Sequence, residues 1–175
     1  MDVARLLDDK ATKPIEKRKK IAESIIMKIL TIQEIQSLKN AFDDKKMTLI
    51  LEAMEAVTVK NPEIADLDWL KFTQDFITSE SNNIKREASR IVGNIAHLFP
   101  NDLAVAIDKL LVNTKNDGTV IRWGSAYALG RIIIIHQYAN SELFDVITGL
   151  FENEKENGVK NQYLNGLKKA KKIRK

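Results

Sequence analysis

The chain has 175 residues, 44% of them hydrophobic and 30% charged, with 28 Lys and Arg against 24 Asp and Glu for a formal net charge of +4. That balance excludes a disordered polyelectrolyte and suits a folded chain with a sizeable core, while seven Gly and three Pro leave little room for β-turns and favour an all-α fold. With no cysteine, disulfides and thiolate chemistry are excluded, and no stretch reaches the roughly 18 apolar residues of a membrane span.

The opening MDVARLLDDKATKPIEKRKK lacks an apolar core of signal-peptide length, so a cytoplasmic protein is expected. Val3 to about Lys10 predicts a short helix with Leu6 and Leu7 as apolar contacts, then a break at Thr12 to Pro14 and a helix with Pro in its first turn. From Ile15 to about Leu30 the residues Ile21, Ala22, Ile25, Ile26 and Ile29 form one amphipathic stripe. Residues 1–30 are expected to form an irregular N-terminal cap, with the run EKRKK at 16–20 as its solvated face.

Four pairs of helices follow. Thr31 with Glu34 three residues later reads as a capping box that opens a helix to about residue 43, and its mate runs over about 46–59 and stops before Pro62. The second pair covers roughly 65–78 and 83–98, with Trp69, Leu70, Phe72, Phe76 and Ile77 as bulk and SNN at 81–83 as turn and cap. The third covers 102–113 and 119–137 around the turn KNDG, and the fourth covers 141–153 and 158–174 with Ser141 and Asn157 as caps.

The second helices share a pattern. In TVIRWGSAYALGRIIII, residues 119–135, Ile121, Ser125, Ala128, Leu129 and Ile132 fall on one helix face, and the small residues Gly124, Ser125, Ala126 and Ala128 let neighbouring helices approach closely. The pattern recurs 37 residues earlier at Ile84, Ala88, Ile91, Val92, Gly93 and Ile95, and 38 later at Val159, Tyr163, Gly166, Leu167 and Ala170. A degraded copy starts at Lys46 with Ile50, Ala53, Met54 and Val57. Self-similarity at this period predicts a stacked helical repeat array.

These second helices resemble those of HEAT repeats of the short bacterial and archaeal type, an armadillo-like class whose consensus is a branched residue, Arg, then A-x-A-L-G-x-I. Ile121, Arg122, Ala126, Ala128, Leu129, Gly130 and Ile132 carry the resemblance, and Ile84, Lys85, Ile91, Val92, Gly93 and Ile95 follow it. It implies an all-α, α-α superhelix (HEAT-like repeat solenoid) of about four helical pairs plus an N-terminal capping segment. The whole chain, 1–175, would be one domain with repeats at about 31–62, 63–100, 101–138 and 139–175. In that family the basic residue of the second slot joins adjacent repeats in a ladder, a role that falls to Lys85, Arg122 and Lys160, with Asp117 and Asp44 as candidate acceptors. The fold class itself is nearly silent on function.

Positions two, six and ten after each repeat start point away from the core, toward the concave side. They place Arg86, Arg90 and Asn94 beside Trp123, Tyr127 and Arg131, then Asn161, Asn165 and Lys169, while the first copy offers Thr48 and Glu52. Rigid aromatics and guanidinium forks dominate binding hot spots, so this is the candidate partner-binding face. The opposing reading packs Trp123 and Tyr127 between repeats. The tail KKAKKIRK sets Lys168, Lys169, Lys171, Lys172, Arg174 and Lys175 at a helix C-terminus, either solubilising the end of the array or attracting phosphates.

Catalysis has no support in the sequence. His97 and His136 form no ligand cluster, and there is no phosphate-binding loop or nucleophile triad. The His-Glu pairs of HEAT-like iron hydroxylases are missing. HEAT-like base-excision glycosylases use Trp, Arg and an Asp, but Asp117 and Glu87 do not fall in the concave slots. The expectation is a non-enzymatic protein-binding scaffold without metal, cofactor, membrane or small-molecule substrate; the alternative is a DNA-repair-like nucleic-acid binder using the basic concave face and tail.

Overall fold

The structure is a computed structural model describing residues 2–174, which form α-helices joined by short turns and, among the described residues, no strand. In chain order the helices are α1 Val3–Asp8, α2 Pro14–Ile26, α3 Ile32–Leu38, α4 Asp44–Thr58, α5 Leu67–Gln74, α6 Asn82–Ile95, α7 Ala104–Asn113, α8 Thr119–Ile132, α9 His136–Ala139, α10 Leu143–Asn153 and α11 Asn157–Ala170. Side chains start several of them. Asp2 accepts from the Arg5 amide and Asp43 from the Lys46 amide, and Thr31 and Glu34 close the expected capping box. At the caps expected in the fourth pair, Ser141 Oγ accepts from the Leu143 amide at 3.3 Å, whereas Asn157 lies inside α11 and Glu154 accepts from the amides of Lys155 and Glu156 instead.

The helices form two layers. Helices α2, α4, α6, α8 and α11 lie side by side in that order, each packed on the next. In the other layer α3 lies against α5 and α5 against α7, while α5, α7 and α10 back onto α6, α8 and α11 respectively. A single apolar core runs between the layers from Val3 to Ala170. Hydrogen bonds step along the first-helix layer at nearly constant sequence separation. Gln33 donates to Asp68, Lys109 to the Gln74 carbonyl, Asn113 to the Ile77 carbonyl and Tyr138 to the Pro100 carbonyl, spans of 35, 35, 36 and 38 residues.

The small residues of α8 do what their spacing predicts. A Cβ on Gly93 would lie 2.9 Å from the Ala128 Cα, and one on Gly130 would lie 2.5 Å from the Gln162 carbonyl oxygen. The α8–α11 crossing is so close that a Cβ on Gly166 would run into the Gly130 backbone.

Four expectations need correction. The stripe assigned to residues 15–30 is split: Ile21 and Ile25 are buried, but Ile26 and Ile29 are 54% and 47% exposed. The helix ends at Ile26, and Lys28 at φ 56° turns the chain so that the Ile29 and Leu30 amides both donate to the Ser24 carbonyl. Residues 2–30 are also less irregular than a bare cap, because α2 lies on α4 in the same layer as the later second helices. Within EKRKK, Lys17 is buried and donates to the Leu7 carbonyl at 2.6 Å, a cation at the C-terminal end of α1. Finally, the helix predicted over 119–137 stops at Ile132. The three β-branched residues Ile133, Ile134 and Ile135 lose little by leaving the helix, and the unwound turn lets them pack on the core beside Ile132.

Candidate functional site

Four-residue spacing aligns Arg86, Arg90 and Asn94 along α6 and Trp123, Tyr127 and Arg131 along α8. Because α6 and α8 are neighbours, the two rows meet. The Trp123 and Tyr127 rings stack at 5.4 Å and 24°, Arg131 caps the Tyr127 ring at 4.3 Å, and Arg90 lies 6.0 Å from the Trp123 ring. Both rings are half-buried, sealed neither between layers nor fully in water.

Asn94 has a different part to play. Its amide is buried, accepting from the Tyr127 hydroxyl at 2.6 Å and donating to Thr58 Oγ1 at 3.1 Å, while Thr58 donates to the Met54 carbonyl. The chain Tyr127–Asn94–Thr58 ties α8 to α6 to α4 and fixes the tilt of the ring. Burial pushes the Tyr127 phenol above its ordinary value.

Two carboxylates at the centre of this face escape the sequence reading. Glu87, expected off the face, is buried, and its oxygens meet Arg86 Nε at 2.7 Å and Arg90 Nη1 at 3.3 Å. Glu55 of α4, also buried, sits 2.6 Å from Arg90 Nη2. Glu55 Oε1 is held by this charge contact without a hydrogen bond, and Arg90 Nε has no hydrogen-bond partner either. Burial raises the Glu55 carboxyl above its usual range and the Glu87 charge adds to this, with Arg90, Asn94 and Arg131 pulling the other way. A sequence signal existed: Glu55 occupies the slot filled by Gly93 and Gly130 in the next two helices, and a lone acid in a close-packing slot calls for a cation on the facing helix.

On α11, Asn165 and Lys169 are exposed, and with Gln162, Tyr127 and Arg131 they line a depression of about 180 Å3 floored by Gly130 and Gly166. The structure thus brings Arg86, Arg90, Trp123, Tyr127, Arg131, Asn165 and Lys169 onto one continuous side of the second-helix layer.

The ladder expected of Lys85, Arg122 and Lys160 reduces to one member. Arg122 donates to both Glu154 oxygens at 3.0 and 3.3 Å and to the carbonyls of Asn116 and Asp117 at 2.9 Å, joining the α7–α8 turn to the α10–α11 turn. The acceptor is therefore Glu154 and the Asp117 backbone, while the Asp44 carbonyl accepts from Thr48. Burial alone would raise Glu154, but Arg122 and the Glu156 and Lys155 amides outweigh it and hold the carboxyl below its usual value. Lys160 instead lies 5.2 Å from the Phe151 ring, and Lys85 makes no ion pair among the described residues. In the tail Lys168, Lys169, Lys171 and Lys172 are exposed, Arg174 folds back over Phe144 at 4.0 Å, and Lys175 lies outside the described residues. His97 is 3.8 Å from Glu63 at the surface, and His136 opens α9.

No protein-family model matches the chain, and no curated protein matches it. It is similar to the crystal structures of two engineered proteins, both Northeast Structural Genomics Consortium targets. One is 12% identical with a TM-score of 0.55 over 99% of this chain and 98% of that one; the other is 15% identical with a TM-score of 0.56 over 98% and 99%. At such identity the likeness is one of all-helical fold. Among the described residues no helix is long and apolar enough to cross a membrane.

Proposed function

We propose that the chain is a HEAT-like α-α superhelix that works as a non-enzymatic, cytoplasmic binding module, docking a protein on the concave side of its second-helix layer. The side-by-side order of α2, α4, α6, α8 and α11, and bonds that recur about every 36 residues, support the superhelical reading. The docking reading rests on one observation: a Trp123–Tyr127 stack, half-exposed, with Arg131 held over it and Asn94 fixing its tilt. Aromatic surface that is already ordered before binding loses little side-chain entropy on contact, which is how hot spots gain their energy.

The charges favour protein over nucleic acid. Arg86 and Arg90 are neutralised by the buried Glu87 and Glu55, so the face is less cationic than its arginines suggest and offers a polyanion little net charge. The test is W123A, with Tyr127 kept because it also holds Asn94. Loss of a truncated hot-spot Trp costs about 2 kcal/mol or more, roughly 30-fold in affinity. Capture of a partner should drop by that factor with helical content unchanged; undiminished capture places the site elsewhere. A gel shift with single-stranded and duplex DNA across a salt series, with and without residues 168–175, reads the nucleic-acid alternative.

A further inference from the structure

Of the cations brought onto one side of the second-helix layer, some are matched and some are not. Arg86 meets Glu87, and Arg90 meets both Glu55 and Glu87. Arg131 and Lys169 are exposed and form no ion pair among the described residues. Glu55 acts on Arg131 electrostatically, but it is buried in its pair with Arg90.

The two unpaired cations open on the same hollow, the depression of about 180 Å3 between α8 and α11. The side chains of Gln162 and Asn165 line it with them and make no hydrogen bond among the described residues, so donors from four side chains converge on one place. A second hollow of about 180 Å3, lined by Thr58, Val59, Asn94 and His97, shares Arg131 and Ile134 with the first. The guanidinium therefore stands between the two, and neither has an acid among its described lining residues. Arg131 is held over the Tyr127 ring at 4.3 Å, which orders the guanidinium before anything binds, and its planar fork is the shape that takes a carboxylate in two bonds.

Resting on the docking reading above, we infer that the hollow between α8 and α11 receives the carboxylate of an Asp or Glu side chain of the docked protein partner, with Arg131 and Lys169 as its cations and Gln162 and Asn165 as flanking donors. Charge complementarity selects an acid, since two cations without a counter-charge face a hollow with none. The position of the hollow selects a carboxylate over a phosphate. Arg131 and Lys169 stand in the last turns of α8 and α11, the negative ends of two helix dipoles, which a single negative charge tolerates better than a double one. The dipoles account for cations at these ends but not for their convergence with two amides. A chain that covers the Trp123–Tyr127 stack passes Arg131 with an open hollow on either side and has no reason to end there, which assigns the carboxylate to a side chain.

The test uses the full chain and a displayed random peptide library, selected in parallel on the wild type, R131E, K169E and W123A, with helical content checked for each. Peptides enriched on the wild type should share an Asp or Glu, lose the preference for it on R131E and on K169E, and be lost altogether on W123A. K169E alters an exposed side chain, so it carries the test if R131E disturbs the Tyr127 ring. An enriched peptide synthesised with its acid changed to the amide should bind the wild type about tenfold more weakly or worse, and should lose little more on K169Q. Peptides that need Trp123 yet share no acid, or that keep their acid on R131E and K169E alike, overturn this inference and leave the docking reading standing. Acidic peptides lost on R131E and K169E but kept on W123A uphold the hollow and move the docking site off the stack. A phosphoserine in place of the acid that binds more than about tenfold tighter gives the hollow to phosphate and overturns the inference. If no peptide is enriched on the wild type, both readings fall.

Discussion

Arg90 Nη2 on α6 lies 2.6 Å from Glu55 Oε1 on α4, a salt bridge between adjacent helices in a place where the following crossings have glycine. The pair is a compromise between charge and burial. Glu55 is buried and its carboxyl is shifted upward, so the native state holds its proton more tightly than the unfolded chain, whose ordinary value is 4.5. The sign follows from linkage: the stability Glu55 contributes is fully present below the unfolded value and is lost as pH rises through the folded one. Urea melts between pH 4 and 8 should therefore show E55Q gaining on the wild type as pH rises. A difference that is flat in pH, or that moves the other way, contradicts the burial argument. R90A, by contrast, strips the buried carboxylate of its cation and should cost about 3 kcal/mol at neutral pH.

The glycines make a paired prediction of opposite sign. In an exposed helix interior Gly→Ala gains about 1 kcal/mol. Gly149 of α10 has nothing within 4 Å of the place an alanine methyl would take, so G149A should stabilise by about that much. At Gly166 the methyl would meet the Gly130 backbone, and neither helix can yield without opening the crossing. G166A should destabilise by about 3 kcal/mol despite its better helix propensity. Thermal melts of the two variants decide it, and a G166A that melts at or above the wild type contradicts the close crossing.

Tyr127, Asn94 and Thr58 should act as a unit. N94A leaves the Tyr127 hydroxyl and Thr58 without their shared partner, and Y127F leaves the buried Asn94 oxygen unsatisfied; each should cost about 1–2 kcal/mol. In N94A/Y127F both ends of the 2.6 Å bond are gone, so the double variant should lose clearly less than the sum. A strictly additive cycle means the bond carries no coupling.

The sequence made the layer of second helices legible because its signal is steric and periodic. Ile84, Ile91, Ile121, Leu129 and Val159 are buried as spaced, and Gly93 and Gly130 sit at crossings. The aromatic and arginine rows were legible for the same reason. What escaped was chemistry that depends on depth and on partners in another helix. A periodic frame says which way Glu87 leaves its helix, but a carboxylate can bend back to Arg86 and Arg90 and be buried all the same. Lys17 looked solvated as one of five charged residues, yet the end of α1 lay close enough to take its ammonium. The N-terminal segment broke the frame because only 17 residues separate α2 from α4, where 23 or 24 separate the later second helices, so α2 joins the layer at a shorter offset.

Arg122 and Glu154 offer the clearest pH test. Their side chains are 18% and 9% exposed, and the guanidinium makes two bonds to the carboxylate while its remaining amine ties two carbonyls of the α7–α8 turn. Charge-assisted, bidentate bonds of this kind contribute about 1.5–3 kcal/mol, so R122A should cost about 2 kcal/mol, mostly by loosening α10 and α11 from α8. Glu154 is held below its ordinary 4.5, the reverse of Glu55. Its contribution is present above the unfolded value and is lost as pH falls through the folded one. E154Q should therefore differ most from the wild type near neutral pH and converge with it on acidification. The enclosed geometry also sets the salt response: raising ionic strength from about 0.05 to about 0.5 M should change the E154Q penalty little, whereas an exposed pair would lose most of its worth. Convergence towards alkaline rather than acid pH would show that Glu154 is held by burial and not by Arg122.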